Sequence, residues 1–129
     1  MAYSILIVDD NAFVRYELRK ILEAEPDFDV CGEAENGRDA VEIAENIRPD
    51  LIILDLTMPV MNGLDAAHAL KNSLPETKLI LFSNHGEAFS DCEAQSAGFS
   101  AVISKHRSLS ELITTTRQVL GHTVFQPAV

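Results

Sequence analysis

The residues of this sequence that are best suited to chemistry each follow a short apolar segment. They are three carboxylates, a hydroxyl and an ammonium: Asp9, Asp10, Asp55, Ser83 and Lys105. Three acids in a small space repel one another, so one of them would have to stay protonated unless a cation is supplied. Lys105 supplies one positive charge, and a set of oxygen ligands favours Mg²⁺ over zinc as a further one.

A pocket that holds these groups is equipped for phosphoryl transfer. The metal and Lys105 would neutralise the phosphoryl oxygens, Ser83 would donate a hydrogen bond to one of them, and a carboxylate oxygen would attack in line. Asp55 is the best-placed nucleophile, because it is the single acid at the end of a central apolar segment. Asp9 and Asp10 are then left to hold the metal.

Taken alone, each of these residues has an ordinary structural explanation. An acid after a strand often caps the next helix, as Asp10 would, and a single acid at a strand end, such as Asp55, is often a turn residue. A single lysine is usually a solvated surface charge, and a single serine usually bonds to nearby backbone. The phosphoryl-transfer hypothesis therefore depends on their joint placement at one edge of a sheet.

Five apolar segments predict the strands that would bring these residues together. They cover residues 4–8, 28–31, 51–54, 78–82 and 101–103. Segments rich in Ile, Leu and Val without polar alternation are typical of strands covered on both faces. The second segment is the weakest and alternates with Asp29, which favours an edge position for it.

Apolar residues at helical spacing predict a helix after each strand. The clearest stripes are Val14, Leu18, Ile21 and Leu22; Ala40, Ile43, Ala44 and Ile47; Ala66, Leu70 and Leu74; and Leu109, Leu112, Ile113, Thr116 and Leu120. The segment 87–97 has Ser, Gln and Cys where the others have Leu, so it predicts a poorer helix, which Gly98 would cap.

Strict alternation of strands and helices predicts an α/β fold. The expected architecture is a flavodoxin-like doubly wound (βα)5 domain, with a five-stranded parallel sheet in the order 2-1-3-4-5 and helices on both faces. Ligands in such folds bind beyond the carboxyl ends of the strands. In this order the first and third strands are neighbours, so Asp9, Asp10 and Asp55 would converge, with Ser83 and Lys105 on the same rim.

Composition narrows the partners and the location. The chain has 129 residues, a formal net charge of −10 and two cysteines. Its length is typical of one domain, and its charge argues against nucleic acid or an anionic membrane as a direct partner. Cys31 and Cys92 have no metal-type spacing, and the N-terminus lacks the pattern of a signal peptide or a membrane span, so we expect a cytoplasmic protein.

Four motifs together resemble the receiver domain of two-component response regulators. They are ILIVDDN, ENGRDAVEIA, PDLIILDLTMPVMNG and VISK, and the resemblance covers residues 3–121. The end of the sequence, LGHTVFQPAV, resembles receivers of LuxR/NarL-type transcription factors, in which a linker leads to a helix-turn-helix domain. Residues 122–129 are therefore expected to be a tail or the start of a linker; a stand-alone single-domain regulator is the alternative.

The resemblance implies a role for each site residue. A histidine kinase, a phosphotransfer protein or a small phosphodonor would phosphorylate Asp55. Asp10, Asp55 and the backbone carbonyl of Thr57 would ligate Mg²⁺, with Asp9 acting largely through water. Ser83 and Lys105 would contact the phosphoryl group. The surface of the fourth helix, fifth strand and fifth helix would then change and bind a partner or form a homodimer, controlling transcription through a further domain.

Three positions that would modulate the site depart from the family pattern. Asn84 is larger than the small residue common after Ser83, so it is expected to narrow access to Asp55. His85 would flank the pocket where phosphoryl lifetime is tuned, or would be a solvated loop histidine. Val102 stands where many receivers carry Tyr or Phe, which leaves open whether the aromatic part of the family's switch operates here.

Two other classes of function compete with a phosphoacceptor switch. A phosphohydrolase acting on external substrates would need a second acid two positions after Asp55, and the sequence has Thr57 there. A degenerate receiver used only for docking would not need the whole set of site residues.

The segment Asn62-Gly63 predicts a turn that leads the chain away from Asp55 and keeps the pocket open.

Overall fold

A computed structural model of the chain describes residues 2–83, 91–105 and 109–121. Within these residues the strands are β1 (Tyr3–Val8), β2 (Phe28–Ala34), β3 (Leu51–Leu54), β4 (Lys78–Ser83) and β5 (Ala101–Ser104). The helices are α1 (Ala12–Glu23), α2 (Gly37–Ile47), α3 (Gly63–Ser73), α4 (Asp91–Ala97) and α5 (Leu109–Gly121). All strand pairs are parallel and the sheet order is β2-β1-β3-β4-β5, which confirms the predicted flavodoxin-like fold.

The central strands are buried on both faces, as their unbroken apolar sequence predicts. In β1, Leu6 and Val8 belong to a core shared with α2, α3 and α4, whereas Ile5 and Ile7 belong to a second core shared with α1 and α5. All four side chains are fully buried. A polar residue on such a strand is accommodated only where the strand ends, which places the acids of the sequence at the rim.

Strand β2 extends further than the predicted segment 28–31. The pairing with β1 shifts at Cys31, because Ile5 pairs with Val30 and the next residue, Leu6, pairs with Gly32. This bulge inserts one extra residue, and the Cys31 thiol lies 3.4 Å from the Ile5 carbonyl oxygen as a hydrogen-bond donor. An extra residue breaks the alternation on which the sequence prediction depended, so the strand appeared to end there.

Asparagine side chains cap three of the helices in the described parts of the chain. Asn11, Asn36 and Asn62 cap the N-termini of α1, α2 and α3, and each side chain accepts backbone N–H groups of the first turn. Gly98 follows α4 with a φ of +103°, which confirms the predicted cap. The predicted start of this helix at residue 87 falls outside the described residues.

Helix α5 is tied to the loop between α1 and β2 by one arginine. The Arg117 guanidinium donates to Glu25 and to both carboxylate oxygens of Asp27, at 2.9 and 3.0 Å for the latter. It also lies 5.3 Å from the centre of the Phe28 ring, so it stacks on the strand that follows. The second half of α5 is thereby fixed to the part of the molecule that contains β1 and β2.

None of the helices described here is long and apolar enough to cross a membrane. Cys31 and Cys92 are both free thiols. The predictions for Asn84, His85 and residues 122–129 fall outside the described part of the chain.

Candidate functional site

Three carboxylates meet at the carboxyl ends of β1 and β3. Val8 pairs with Leu54, and the Asp55 N–H donates to the Val8 carbonyl at 2.9 Å, so the acids that follow the two strands are neighbours. Carboxylate oxygens of Asp9, Asp10 and Asp55 lie within 4.8 Å of one another. We call these three residues the acid cluster. Asp9 and Asp55 are buried, 1% and 3% exposed, whereas Asp10 is exposed.

Lys105 reaches into the acid cluster from the end of β5. Its ammonium lies 2.7 Å from Asp9 Oδ2 and 3.2 Å from Asp55 Oδ1. The Lys105 N–H donates to the Ser83 carbonyl at 2.7 Å, which continues the β4–β5 pairing by one residue and fixes where the side chain starts. Its ammonium is also 5.9 Å from the centre of the Phe82 ring. The structure thus brings Lys105 together with two of the three acids.

Burial and mutual repulsion disturb the ionisation of these groups. Loss of solvent, and next the neighbouring Asp9 charge, raise the pKa of Asp55 from 3.8 to about 6, although Lys105 acts in the opposite direction. For Lys105, burial alone would lower the pKa, but the contacts with Asp9 and Asp55 outweigh it and raise the pKa. Near neutral pH the pocket therefore holds a firmly charged ammonium beside a carboxylate that is costly to ionise.

The acid cluster fits a hard divalent cation. Asp9 Oδ2 and Asp55 Oδ1 are buried, and although the ammonium is close to both, neither accepts a well-formed hydrogen bond from the described residues. The cluster offers only oxygen ligands, and the exposed Asp10 gives it an open side. Oxygen ligands around a partly hydrated position suit Mg²⁺ rather than zinc.

Backbone contacts leave the three acids with different freedom. Asp9 Oδ1 accepts the Asn11 N–H at 2.9 Å, so both oxygens of Asp9 already have close neighbours, an N–H and an ammonium. Asp10 is exposed and extends from the same turn. Asn11 was not among the predicted site residues. An asparagine directly after two acids and before a predicted helix could have indicated a helix cap next to the site, and Asn11 does cap α1.

Gly63 allows α3 to begin directly against the backbone of Asp55. A Cβ at this position would lie only 2.0 Å from the Asp55 carbonyl oxygen. The Gly63 N–H instead donates to the Leu56 carbonyl at 2.8 Å, and the Asn62 side chain caps the helix. Close approach, and not an unusual φ, is therefore the reason for a glycine after Asn62.

The turn after Asp55 is tightest at Val60 and not at the predicted Asn62-Gly63. Val60 has a φ of +69°, and the Met61 N–H donates to the Pro59 carbonyl at 2.7 Å, which is a γ-turn of the strained, positive-φ type. Val60 is also 75% exposed. A β-branched residue gives no sequence signal for a positive φ, so this feature was missed.

The remaining predicted site residues lie around the pocket. Thr57 is exposed in the loop after β3 and lines an open cavity of about 410 Å³ together with Met58 and Glu93 of α4. Ser83 is the half-buried last residue of β4. Val102 lies on β5, partly buried against the core shared with α2, α3 and α4, so an aliphatic side chain packs where many receivers carry an aromatic one.

A doubly wound domain with an acid cluster and a lysine at the carboxyl end of its sheet is the arrangement of a signalling receiver. The family described as "Response regulator receiver domain" matches residues 5–117, and the chain belongs to this family. It is a receiver domain of two-component systems, as the sequence motifs predicted. Receiver domains of response regulators interact with histidine kinases or phosphotransfer proteins, and they bind Mg²⁺ at an acidic pocket.

Individual relatives agree with this assignment. The chain is 38% identical to chemotaxis protein CheY of Thermotoga maritima over 119 residues, covering 92% of this chain and 98% of CheY. It is 34% identical to response regulator protein VraR of Staphylococcus epidermidis over 130 residues, covering all of this chain and 62% of VraR. The chain thus spans about three-fifths of the length of VraR.

A solved structure supports the predicted LuxR/NarL-type relationship. The structure of a LuxR-family DNA-binding response regulator from Staphylococcus aureus superposes with a TM-score of 0.85 and 26% identity. The match covers 92% of this chain and 98% of that one.

The strain at Val60 predicts that Val60→Gly stabilises the protein. Holding a non-glycine residue at positive φ destabilises the folded state by about 1–2 kcal/mol, and Val60→Gly removes this cost. Glycine itself lowers the free energy of unfolding by about 0.5–1 kcal/mol, because its unfolded state has more conformational freedom. Because the side chain is 75% exposed, little packing is lost. We expect a gain of about 0.5–1 kcal/mol in the free energy of unfolding, measured by urea titration. Val60→Ala keeps a Cβ and should gain less; a clear loss of stability in Val60→Gly would contradict the assignment of strain.

The raised pKa of Asp55 predicts a pH-dependent gain of stability in Asp55→Asn. An acid whose pKa is higher in the folded state opposes folding once it is charged, so the penalty is full above pH 6 and disappears as pH falls toward 3.8. In metal-free buffer at about pH 7.5, which is above the pKa of Asp55 in both the folded and the unfolded state, we expect Asp55→Asn to raise the free energy of unfolding by about 1–3 kcal/mol, because the pKa differs between 3.8 and about 6.

The size of this difference should shrink below pH 5 and on addition of Mg²⁺, since a proton or a cation then relieves the same charge. Asp29→Asn, which removes an exposed acid of β2 outside the acid cluster, is the matched control, and Mg²⁺ should not change its difference from the wild type. A pH-independent difference between wild type and Asp55→Asn would show that Asp55 is not an energetically unfavourable buried charge.

Proposed function

We propose that Asp55 accepts a phosphoryl group from a phosphohistidine or a small phosphodonor in an Mg²⁺-dependent reaction. The observation that supports this most strongly is the shared contact of Lys105 with Asp9 and Asp55 inside the acid cluster. A buried carboxylate beside one ammonium and two further acids has the groups that phosphoryl transfer requires. The domain is then a signalling module that acts on itself, and not an enzyme for external substrates.

The reaction can be written for the residues of this chain. An oxygen of Asp55 attacks phosphorus in line, the P–N bond of phosphohistidine or the P–O bond of an acyl phosphate breaks, and the imidazole or carboxylate leaves with the bonding electrons. Lys105 neutralises one phosphoryl oxygen, and the Ser83 hydroxyl, at the end of the adjacent strand, donates to another. Water later hydrolyses the acyl phosphate and regenerates Asp55.

Four residues would hold the metal. Asp10, Asp55 and the backbone carbonyl of Thr57 are the proposed ligands, with Asp9 acting largely through water because its oxygens already face Asn11 and Lys105. When bound, Mg²⁺ would neutralise the negative charge that develops on the phosphoryl oxygens. Asn84 and His85 are proposed to modulate access to Asp55 and the phosphoryl lifetime.

We propose that the surface of α4, β5 and α5 responds to phosphorylation. Among the residues of α4 whose side chains the structure describes, 92–97, only two small ones are buried, Ala94 and Ala97, whereas α5 buries Leu112, Ile113, Thr116 and Val119. Elements with little buried apolar surface are those that shift at low cost. Lys105 connects this surface to Asp55, since it extends from the end of β5.

In the cell, we propose that the unit 3–121 is a cytoplasmic receiver whose partner is a sensor histidine kinase or a phosphotransfer protein. By analogy with its LuxR-family and VraR relatives, it would control transcription as part of a longer regulator. The net charge of −10 argues against direct contact of this chain with nucleic acid, so in such a regulator another domain would bind DNA.

Phosphorylation of Asp55 is the prediction that tests this function. Incubation with Mg²⁺ and acetyl phosphate should add one phosphoryl group to the wild type, seen by intact mass and located by borohydride trapping of the acyl phosphate. Asp55→Asn should remain unmodified, and omission of Mg²⁺ should abolish the adduct. An Asp29→Asn control should react as the wild type does.

Two results would overturn this proposal. A wild type that forms no adduct with acetyl phosphate or with beryllofluoride would indicate a docking-only domain. Steady turnover of an external phosphomonoester, blocked in Asp55→Asn, would instead indicate a phosphohydrolase.

Activation should also change the oligomeric state. We expect sedimentation velocity to show a shift from monomer toward homodimer when Mg²⁺ and beryllofluoride are both present, and none with either alone, because the acyl phosphate mimic needs both. Asp55→Asn should stay unchanged under all conditions. An unchanged sedimentation coefficient in wild type that has bound beryllofluoride would remove dimerisation from the proposed output.

A further inference from the structure

Arg15 makes a contact with the acid cluster that none of the proposed roles includes. The Arg15 side chain, on the first turns of α1, donates from Nη1 to the backbone carbonyl oxygen of Asp9 at 2.6 Å. Its Nε donates to Glu33 Oε1 at 3.1 Å, so the guanidinium is held between β2 and the end of β1. The Arg15 side chain is 16% exposed and that of Glu33 30%, which keeps the pair partly out of solvent.

The Asp9 carbonyl lies beyond the point where β2 ends, so the β1–β2 pairing offers it no backbone donor. The Asp9 N–H still donates to the Ala34 carbonyl at 3.1 Å, but β2 ends at Ala34. A buried carbonyl at the end of a strand requires a donor, and the guanidinium provides it. Arg15 therefore ends the β1–β2 hydrogen-bond ladder at the point where the acid cluster begins.

This contact restrains the backbone on one side of Asp10, the exposed member of the acid cluster. Each peptide unit is planar, so a hydrogen bond to its carbonyl oxygen or from its N–H restricts the orientation of the whole plane. Arg15 holds the plane between Asp9 and Asp10 through its carbonyl oxygen. Asp9 Oδ1 holds the next plane, between Asp10 and Asn11, through its N–H at 2.9 Å. Asp10 thus lies between two fixed planes although its own side chain is exposed.

We propose that Arg15 is a positioning residue for the metal site: it presents the Asp10 carboxylate for Mg²⁺ without touching the ion. The inference rests on the proposed Mg²⁺ binding by the acid cluster. Partners that orient ligands in this way typically contribute about 10–100-fold to metal affinity. A single contact to backbone places Arg15 at the lower end of that range, about tenfold.

Positioning and simple electrostatics predict opposite signs for removal of Arg15. A guanidinium near the site repels a cation, so deleting its charge alone would tighten Mg²⁺ binding. Deleting its hydrogen bond to Asp9 frees the plane that orients Asp10, which weakens binding. The sign of the change in Mg²⁺ affinity therefore separates the two explanations.

Arg19 offers a matched control on the same helix. It lies one turn after Arg15 and donates to the other oxygen of the same acid, Glu33 Oε2, at 2.6 Å. Its remaining contact is with Glu23 at 3.2 Å, and the structure shows no contact between Arg19 and the Asp9 backbone among the described residues. Arg19→Met therefore removes the same charge and a salt bridge to the same acid, but leaves the plane before Asp10 held.

The test measures Mg²⁺ binding by isothermal titration calorimetry in wild type, Arg15→Met and Arg19→Met. We expect the dissociation constant to rise about tenfold in Arg15→Met and to change less than about twofold in Arg19→Met. Arg15→Lys, which keeps one donor and the charge, should fall between wild type and Arg15→Met. Equal or tighter binding in Arg15→Met would overturn the proposal.

A metal-free measurement separates this inference from the proposed function. Amide hydrogen exchange by NMR should be faster at Asp10 and Asn11 in Arg15→Met than in wild type, and unchanged there in Arg19→Met. If the wild type binds no Mg²⁺, the proposed metal site fails and the role of Arg15 at that site fails with it. If the wild type binds Mg²⁺ but exchange is unchanged in Arg15→Met, only the positioning role is overturned. If Arg15→Met does not fold, Glu33→Gln, which weakens the anchor of Arg15, is expected to show the same changes at smaller size.

Discussion

Two buried carboxylates share one ammonium at the end of the sheet, and the properties of the site follow from this imbalance. Asp9 and Asp55 are 1% and 3% exposed, and Lys105 contacts both. One positive charge does not balance two negative charges at low dielectric, so the binding of a proton or a further cation lowers the free energy of the pocket. The raised pKa of Asp55 and the suitability of the acid cluster for a divalent ion are two results of the same imbalance.

The sheet prevents the acids from relieving this repulsion by moving apart. β1 and β3 are adjacent parallel strands in register, about 4.8 Å apart, and the residues that pair, 5–8 and 51–54, are buried on both faces. Gly63 packs against the Asp55 backbone from the other side, and Arg15 holds the carbonyl of Asp9. The free energy of repulsion is therefore available to ligand binding, because these contacts oppose the backbone movement that would release it.

The sequence predicted those parts of this arrangement that follow from buried strands. The alternation of strands and helices predicted the strand order, and this order places Asp9 beside Asp55 because β1 and β3 are adjacent. Lys105 follows β5, two strands away from β3, and it reaches both acids through its long side chain. The bulge at Cys31, the positive φ of Val60 and the role of Arg15 were missed. Each depends on a local backbone geometry or on a side-chain-to-backbone contact between distant residues, which hydrophobic periodicity does not encode.

The same geometry indicates where a change of charge at Asp55 is transmitted. Asp9 and Asp55 lie on central strands with neighbours on both sides, whereas Lys105 follows β5, which pairs only with β4 in the described structure. The proposed phosphoryl group on Asp55 would attract the Lys105 ammonium, so a displacement would fall on the edge strand β5. Arg117 holds the far half of α5 to Glu25 and Asp27, and this contact opposes rotation of the whole helix. The proposed response would therefore be concentrated on β5 and α4, and in the described part of α4 only the small side chains of Ala94 and Ala97 are buried, so little apolar surface must be rearranged there.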